Sequence, residues 1–410
     1  MRSGDTRAGT GETASTSAPF DGRLALLALG SFAIGTDSFV IAGLLGSIAE
    51  EFNISIAIAG QLITIYALCY AVFTPLTAIM TANWPRQLVL LAGISIFFAG
   101  NVVAAYGTDY LVVLAGRGIS GLGAAIFVPT ASATAAAIVG DKRRASALAI
   151  MMIALSTATA FGAPIGTVIG TLLGWRYTFV AVAVIAASVA IGVAIFLTCE
   201  ASPERHSLRS RISLIHDRDI LVVLLATFLV LCGLYLTYTY IGAVFDRATQ
   251  GDGLTLAVLI AVWGLAGTAG SLISGRLTDR MGSRIVINTS LVVLTLNFAG
   301  LPWTSAALTS SIIALIVWGL CAWGFVIPQQ HRLIGLAPQH ASILLSLYAM
   351  AVYGGTSVSG AVGALAATFV GYHNLPLIGA ALVLCGLAVS EYASRLGRSA
   401  SPRTDVAVHS

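Results

Sequence analysis

From residue 24 onwards the chain is a succession of long apolar runs broken by short polar turns. A bilayer core of roughly 30 Å is crossed by about 20 apolar residues in a helix. Twelve runs reach that length, at about 24–46, 57–80, 88–105, 110–138, 145–172, 176–198, 219–245, 253–277, 284–302, 307–330, 341–369 and 375–393. The pattern predicts an all-α membrane protein of twelve transmembrane helices. Most connections are very short. The exception, 199–218, is polar and basic, contains Pro203, and divides the spans six and six. The expected organisation is a tail over 1–22, a six-helix half over 23–198, a central loop over 199–218, a second six-helix half over 219–393 and a tail over 394–410. Residues 1–22 are Gly/Ser/Thr-rich and lack the apolar middle of a signal peptide, so they read as a disordered cytoplasmic tail.

Charge placement orients these spans. Of the 21 Lys and Arg, Arg176 and Arg247 fall in one alternate set of loops and Arg117 lies inside a span. All the others fall in the opposite set, which holds both tails and the central loop. Basic loops stay on the cytoplasmic side, so both termini are expected there. A missed span would scramble the alternation, so the bias also supports the count of twelve.

Composition narrows the function. The chain is 57% hydrophobic and 9% charged, against roughly 25% charged in a soluble domain. A net charge of +4 with no clustered basic face gives nucleic acid nothing to bind. The five Cys are scattered without a CxxC, which supports neither a disulfide framework nor a zinc site, and no metal or other cofactor is expected. The six His are scattered and none lies mid-span, unlike the clustered groups of a membrane enzyme. No GxxxxGK[ST] phosphate loop is present, which argues against drive by ATP. The expected class is a transporter and not an enzyme.

Three motifs carry a family resemblance. Gly275-Arg-Leu-Thr-Asp279-Arg280-Met-Gly282-Ser-Arg284 follows the eighth span and resembles the signature G-x-L-x-D-R-x-G-R-[KR] of the major facilitator superfamily. The matching stretch after span two, 77–86, aligns through its final Arg86 but lacks the Asp and both Gly, a weak trace of a repeat. Arg117-Gly-Ile-Ser-Gly121-Leu-Gly123 resembles the R-x-x-x-G-x-G motif of proton-coupled members. Gly162-Ala-Pro164-Ile-Gly166, followed by Gly170, resembles the antiporter motif with Thr167 in place of one Gly. Smaller features resemble bacterial arabinose-efflux-like and chloramphenicol-efflux-like permeases of the drug:proton antiporter branch. They are Gly174-Trp175-Arg176, Tyr238-Thr-Tyr240-Ile and Pro328-Gln-Gln330. The resemblance implies two six-helix halves rocking about a central site. It implies a cytoplasmic gate at Gly275, Asp279, Arg280, Gly282 and Arg284, although the same stretch also reads as a plain basic turn.

Inside the spans, well away from an interface, stand one acid, Asp37, and one base, Arg117. An Asp in mid-membrane costs about 3 kcal/mol on insertion scales, so a partner or a wet cavity must offset it. Counting along the first and fourth spans puts both groups about 10 Å below the outer face. The two are therefore expected to couple, with Asp37 carrying the driving proton. A structural tie between the spans and recognition of a substrate cation are the alternatives. The cavity candidates are Tyr66, Tyr70, Tyr235, Tyr238, Trp263, Trp318, Trp323 and Gln329. The span-seven Tyr residues also read as interfacial anchors. Such a lining suits a largely neutral substrate. The leading reading is a monomeric, proton-coupled exporter of a drug, sugar or metabolite in a bacterial inner membrane, meeting only substrate, protons and lipid. An uptake symporter is the alternative, and a sensor that binds without transport is a third reading.

Overall fold

The computed structural model describes residues 22–81, 83–140, 143–197 and 217–399. The central loop and most of both tails, with Cys199, lie outside them. The helices are α1 (Gly22–Glu51), α2 (Gln61–Met80), α3 (Arg86–Tyr106), α4 (Tyr110–Val139), α5 (Arg144–Thr157, a π-helical turn Ala158–Gly162, then Ala163–Leu173) and α6 (Trp175–Phe196). The second set is α7 (Arg218–Thr239), α8 (Gly253–Met281), α9 (Ser283–Thr304), α10 (Leu308–Leu336), α11 (Ala341–Val370) and α12 (Leu375–Ser399). Among the described residues, twelve helices are long and apolar enough to cross a membrane.

Polar residues define the ends. The Asp109 carboxylate accepts from the N–H groups of Leu111 and Val112 and opens α4, and Asp252 does the same for α8 through Leu254 and Thr255. Gly174, Gly282 and Gly371 turn the chain with φ of 104°, 82° and 74°.

Two boundaries differ from the apolar runs. Span seven stops at Thr239, because Tyr240 leaves the helix and its hydroxyl donates to the Gly360 carbonyl on α11 at 2.7 Å. The signature expected to form a loop after span eight is helical as far as Met281, and Gly282 alone makes the turn. An added Cβ at Gly275 meets nothing within 4 Å, whereas Gly282 has a backbone that L residues avoid. Gly282→Ala should therefore cost about 1–3 kcal/mol, and Gly275→Ala should leave thermal unfolding in detergent unchanged.

Helix neighbours repeat with an offset of six. In the first half α1 packs on α5 and α6, α2 on α4, and α3 on α4 and α6. In the second, α7 packs on α11 and α12, α8 on α10, and α9 on α10 and α12. The halves meet mainly through α2 with α11 and α5 with α8, contacts that the same offset exchanges. The repeat barely visible in the sequence is thus carried by packing.

Burial separates the two ends of the molecule. On the outer side one continuous core draws on both halves, with Ile41, Leu44 and Ile63 joined to Tyr238, Val244 and Ile260. On the cytoplasmic side each half has its own core, one around Leu27 and Phe127, the other around Val223 and Leu344. The halves thus share one core at the outer end and keep separate cores at the other.

Candidate functional site

The site begins with how α1 is held. Thr36, Val40 and Leu44 lie four residues apart and face Gly162, Gly166 and Gly170, also four apart on α5. A Cβ at Gly162 would overlap Thr36 Oγ1, one at Gly170 would overlap Leu44, and one at Gly166 would lie 2.6 Å from Val40. Ridge meets groove with no spare room, which fixes the register and rotation of α1. The π turn Ala158–Gly162 widens the helix just before Pro164, where a regular turn would clash with the ring.

That rotation turns Asp37 towards α4. Arg117 Nη1 donates to both carboxylate oxygens, at 2.6 and 2.7 Å, and Nη2 donates to the Asp37 carbonyl at 3.4 Å. Both residues are 0% exposed. The guanidinium lies 4.5 Å from the Tyr66 ring centre and 5.6 Å from that of Phe179. Two aromatic faces thus add to the carboxylate in holding the cation away from water. Tyr66 reaches this place because Gly121 lets α4 press against the α2 backbone, where a Cβ would overlap the Tyr66 carbonyl oxygen. The helix α1 runs on to Glu51, so Asp37 sits near its midpoint, deeper than the count along the apolar run placed it.

Next to the pair, Ser38 Oγ is 2.9 Å from the Tyr66 hydroxyl oxygen. Phe39 then enters an aromatic group built mostly by the second half. Its ring centre lies 5.8 to 6.3 Å from those of Tyr235, Tyr238, Trp263 and Trp323. The Tyr238 hydroxyl donates to the Phe39 carbonyl at 2.9 Å, a bond between the halves. Tyr70 stacks on Tyr353 of α11.

The expected site residues therefore sort into distinct places. Asp37, Arg117 and Tyr66 form one buried unit. Tyr235, Tyr238, Trp263 and Trp323 surround Phe39 at the junction of the halves, so the span-seven Tyr pair is not an interfacial anchor. Trp318 is fully buried beside Phe298 inside the second half. Gln329 is fully buried, and its Nε2 donates to the Val223 carbonyl at 3.1 Å and to Thr227 Oγ1 at 2.9 Å. It pins α10 to α7 inside the second half. Asp279 and Arg280 are exposed, and Asp279 has no hydrogen bond or ion pair among the described residues. Arg284 instead pairs with Glu391 of α12, which Asn288 also contacts at 3.0 Å. Among the described residues no group of His, Cys, Asp and Glu is placed to hold a metal. Phe179 and Tyr353 were not singled out, because an aromatic in a membrane span is common and carries no sign of its partner.

A sequence model described as the Major Facilitator Superfamily matches residues 27–360. The chain belongs to the major facilitator superfamily. Among superfamily relatives, the inner membrane transport protein YdhP of Escherichia coli (strain K12) is 28% identical over 89% of this chain and 94% of its own. A chloramphenicol resistance protein of Streptomyces lividans is 34% identical over 64% of this chain and 68% of its own. A probable sugar efflux transporter of Mannheimia succiniciproducens is 26% identical over 88% of this chain and 90% of its own. The crystal structure of a point mutant of the nucleoside transporter NupG superposes with a TM-score of 0.76 at 14% identity. It covers 90% of this chain and 99% of that one, a likeness of fold. The chain is a multi-pass membrane protein of a transporter superfamily with the twelve-helix, two-half fold.

Proposed function

We propose that this chain is a proton-driven exporter of a small organic compound in a bacterial inner membrane, with Asp37 as the proton-carrying group. The observation that carries the reading is the place of Asp37 on α1. Its carboxylate is held by Arg117 inside the first half, and two residues on, the Phe39 carbonyl holds Tyr238 of the second half. A proton on Asp37 removes the charge that binds Arg117 and loosens α1 from α4. The same rigid helix carries the outer seal, so the charge state of Asp37 and the closure of the halves are linked through one element. Rocking of the two six-helix halves then exposes the cleft to either side in turn. Two of the relatives have names that refer to resistance and efflux, which supports the outward direction. The signature at Asp279, Arg280 and Gly282 fits a cytoplasmic latch that engages when the inner side closes, and its exposure accords with the divided cytoplasmic cores.

The test is energised efflux of a compound panel from cells stripped of their own pumps. Wild type should export at least one compound, and export should collapse with a protonophore and in Asp37→Asn. Export that resists the protonophore, or that survives in Asp37→Asn, removes Asp37 from the coupling role. Protonophore-sensitive accumulation in place of loss would turn the reading to uptake.

A further inference from the structure

Two rings from opposite halves lie face to face beside the buried ion pair. The centres of Tyr70 on α2 and Tyr353 on α11 are 3.6 Å apart with 19° between their planes. Most aromatic pairs in proteins sit at roughly 4.5–7 Å between centres, so these two are stacked in full contact. The contact belongs to α2 with α11, one of the two main helix pairs that join the halves. Tyr353 is a side chain of the second half packed against the core of the first. That core also holds Tyr66, the ring over Arg117, whose hydroxyl meets Ser38 next to Phe39.

The chemistry of this place is specific. Phe39, Tyr235, Trp323 and Tyr353 are only half-buried, and all are aromatic. No charge is offered, because Asp37 and Arg117 are 0% exposed and spent on each other. A cation would find the carboxylate taken, and an anion would find the guanidinium behind Tyr66 and Phe179. Among the buried donors without a partner is the indole N–H of Trp263, whose ring centre lies 6.1 Å from that of Phe39. An indole N–H can only donate, so what satisfies it must present an acceptor.

We infer that Tyr353 holds the place on the Tyr70 ring that a flat ring of the substrate takes when it binds, and that the substrate class is neutral aromatic compounds carrying a hydrogen-bond acceptor. Exchange of one ring for another conserves the stacking on Tyr70. It also removes a contact between the halves, so binding at this stack is transmitted to the α2–α11 junction. The inference rests on the export reading for its purpose, and it is tested separately from it.

The probe is para-nitrobenzyl alcohol, an aromatic quencher of tryptophan emission, added to the purified full-length chain in detergent. Displacement is then measured with benzyl alcohol, cyclohexylmethanol, benzoate and benzylammonium. Quenching should saturate and should depend on Trp263 and Trp323. Benzyl alcohol should displace the probe, and the saturated and charged compounds should not. Tyr70→Leu should weaken binding by about tenfold, the weight of one good aromatic stack, while Tyr70→Phe keeps it and shows that the fold survives. Tyr353→Leu should bind as tightly as wild type or more tightly, since it removes the competing ring. Equal displacement by cyclohexylmethanol overturns the inference. So does a loss in Tyr353→Leu as large as that in Tyr70→Leu, which would make Tyr353 a wall of the site. Asp37-dependent efflux confined to non-aromatic compounds would sink this inference and leave export intact. Ring-dependent binding with no export of any compound would do the reverse.

Discussion

Arg117→Met is expected to lower the stability of the folded chain by about 3–5 kcal/mol, the cost of leaving a buried carboxylate without its partner. The size follows from the enclosure. Asp37 is 0% exposed, and Arg117 supplies the donors to both of its oxygens. The substituted thioether has nothing to donate. Thermal unfolding of detergent-purified protein, followed by size-exclusion chromatography, reads the effect. Asp37→Asn combined with Arg117→Met should recover much of the loss, because the double variant buries no charge. Unfolding of Arg117→Met at the wild-type temperature would mean that the pair contributes nothing to holding α1 on α4. The stabilisation should also be nearly insensitive to salt, since counter-ions do not reach a pair sealed by Tyr66 and Phe179.

Gly121→Ala is expected to cost about 1–3 kcal/mol and to abolish transport, although it adds a single methyl. The added carbon would overlap the Tyr66 carbonyl oxygen and lie 3.1 Å from both the carbonyl carbon and Cα of that residue. These are backbone atoms, so no rotamer relieves the overlap and α2 must move off α4. That movement draws the Tyr66 ring from its 4.5 Å seat over Arg117. Gly118→Ala provides the control within the same motif. Its carbon would find Ile65 at 3.5 Å and Cys69 at 3.6 Å, ordinary contacts that should leave both stability and transport near wild type. Equal behaviour of the two variants would disprove the close-packing role assigned to Gly121. Efflux rates paired with unfolding temperatures make the comparison.

Much of the architecture was legible because membrane helices are specified locally. A helix must cross about 30 Å of hydrocarbon with its own backbone bonds satisfied, so each span announces itself as an apolar run. The arginine bias then gives the sides. Asp37 and Arg117 could be picked out for the same reason, since a charge in that setting needs a partner and each was the other's only candidate. The glycine spacing on α5 could also be read as a close helix contact before its partner helix was known.

What lay beyond the sequence was everything set by how one helix is rotated against another. Gln329 and Trp318 share the composition of cavity residues, yet the rotation of α10 buries one against α7 and the other against Phe298. Tyr353 stands among Gly, Ala and Ser, and only the meeting of α2 with α11 makes it a ring stacked on Tyr70. The exposed Asp279 and the Arg284–Glu391 pair depend on how α8, α9 and α12 end beside one another, a property of the packed whole. The sequence by itself determined the spans, their orientation and the two charges that must meet. The tertiary structure alone decided which aromatics meet between the halves and where the halves share a core, because those depend on contacts between residues far apart in the chain, and no local pattern encodes them.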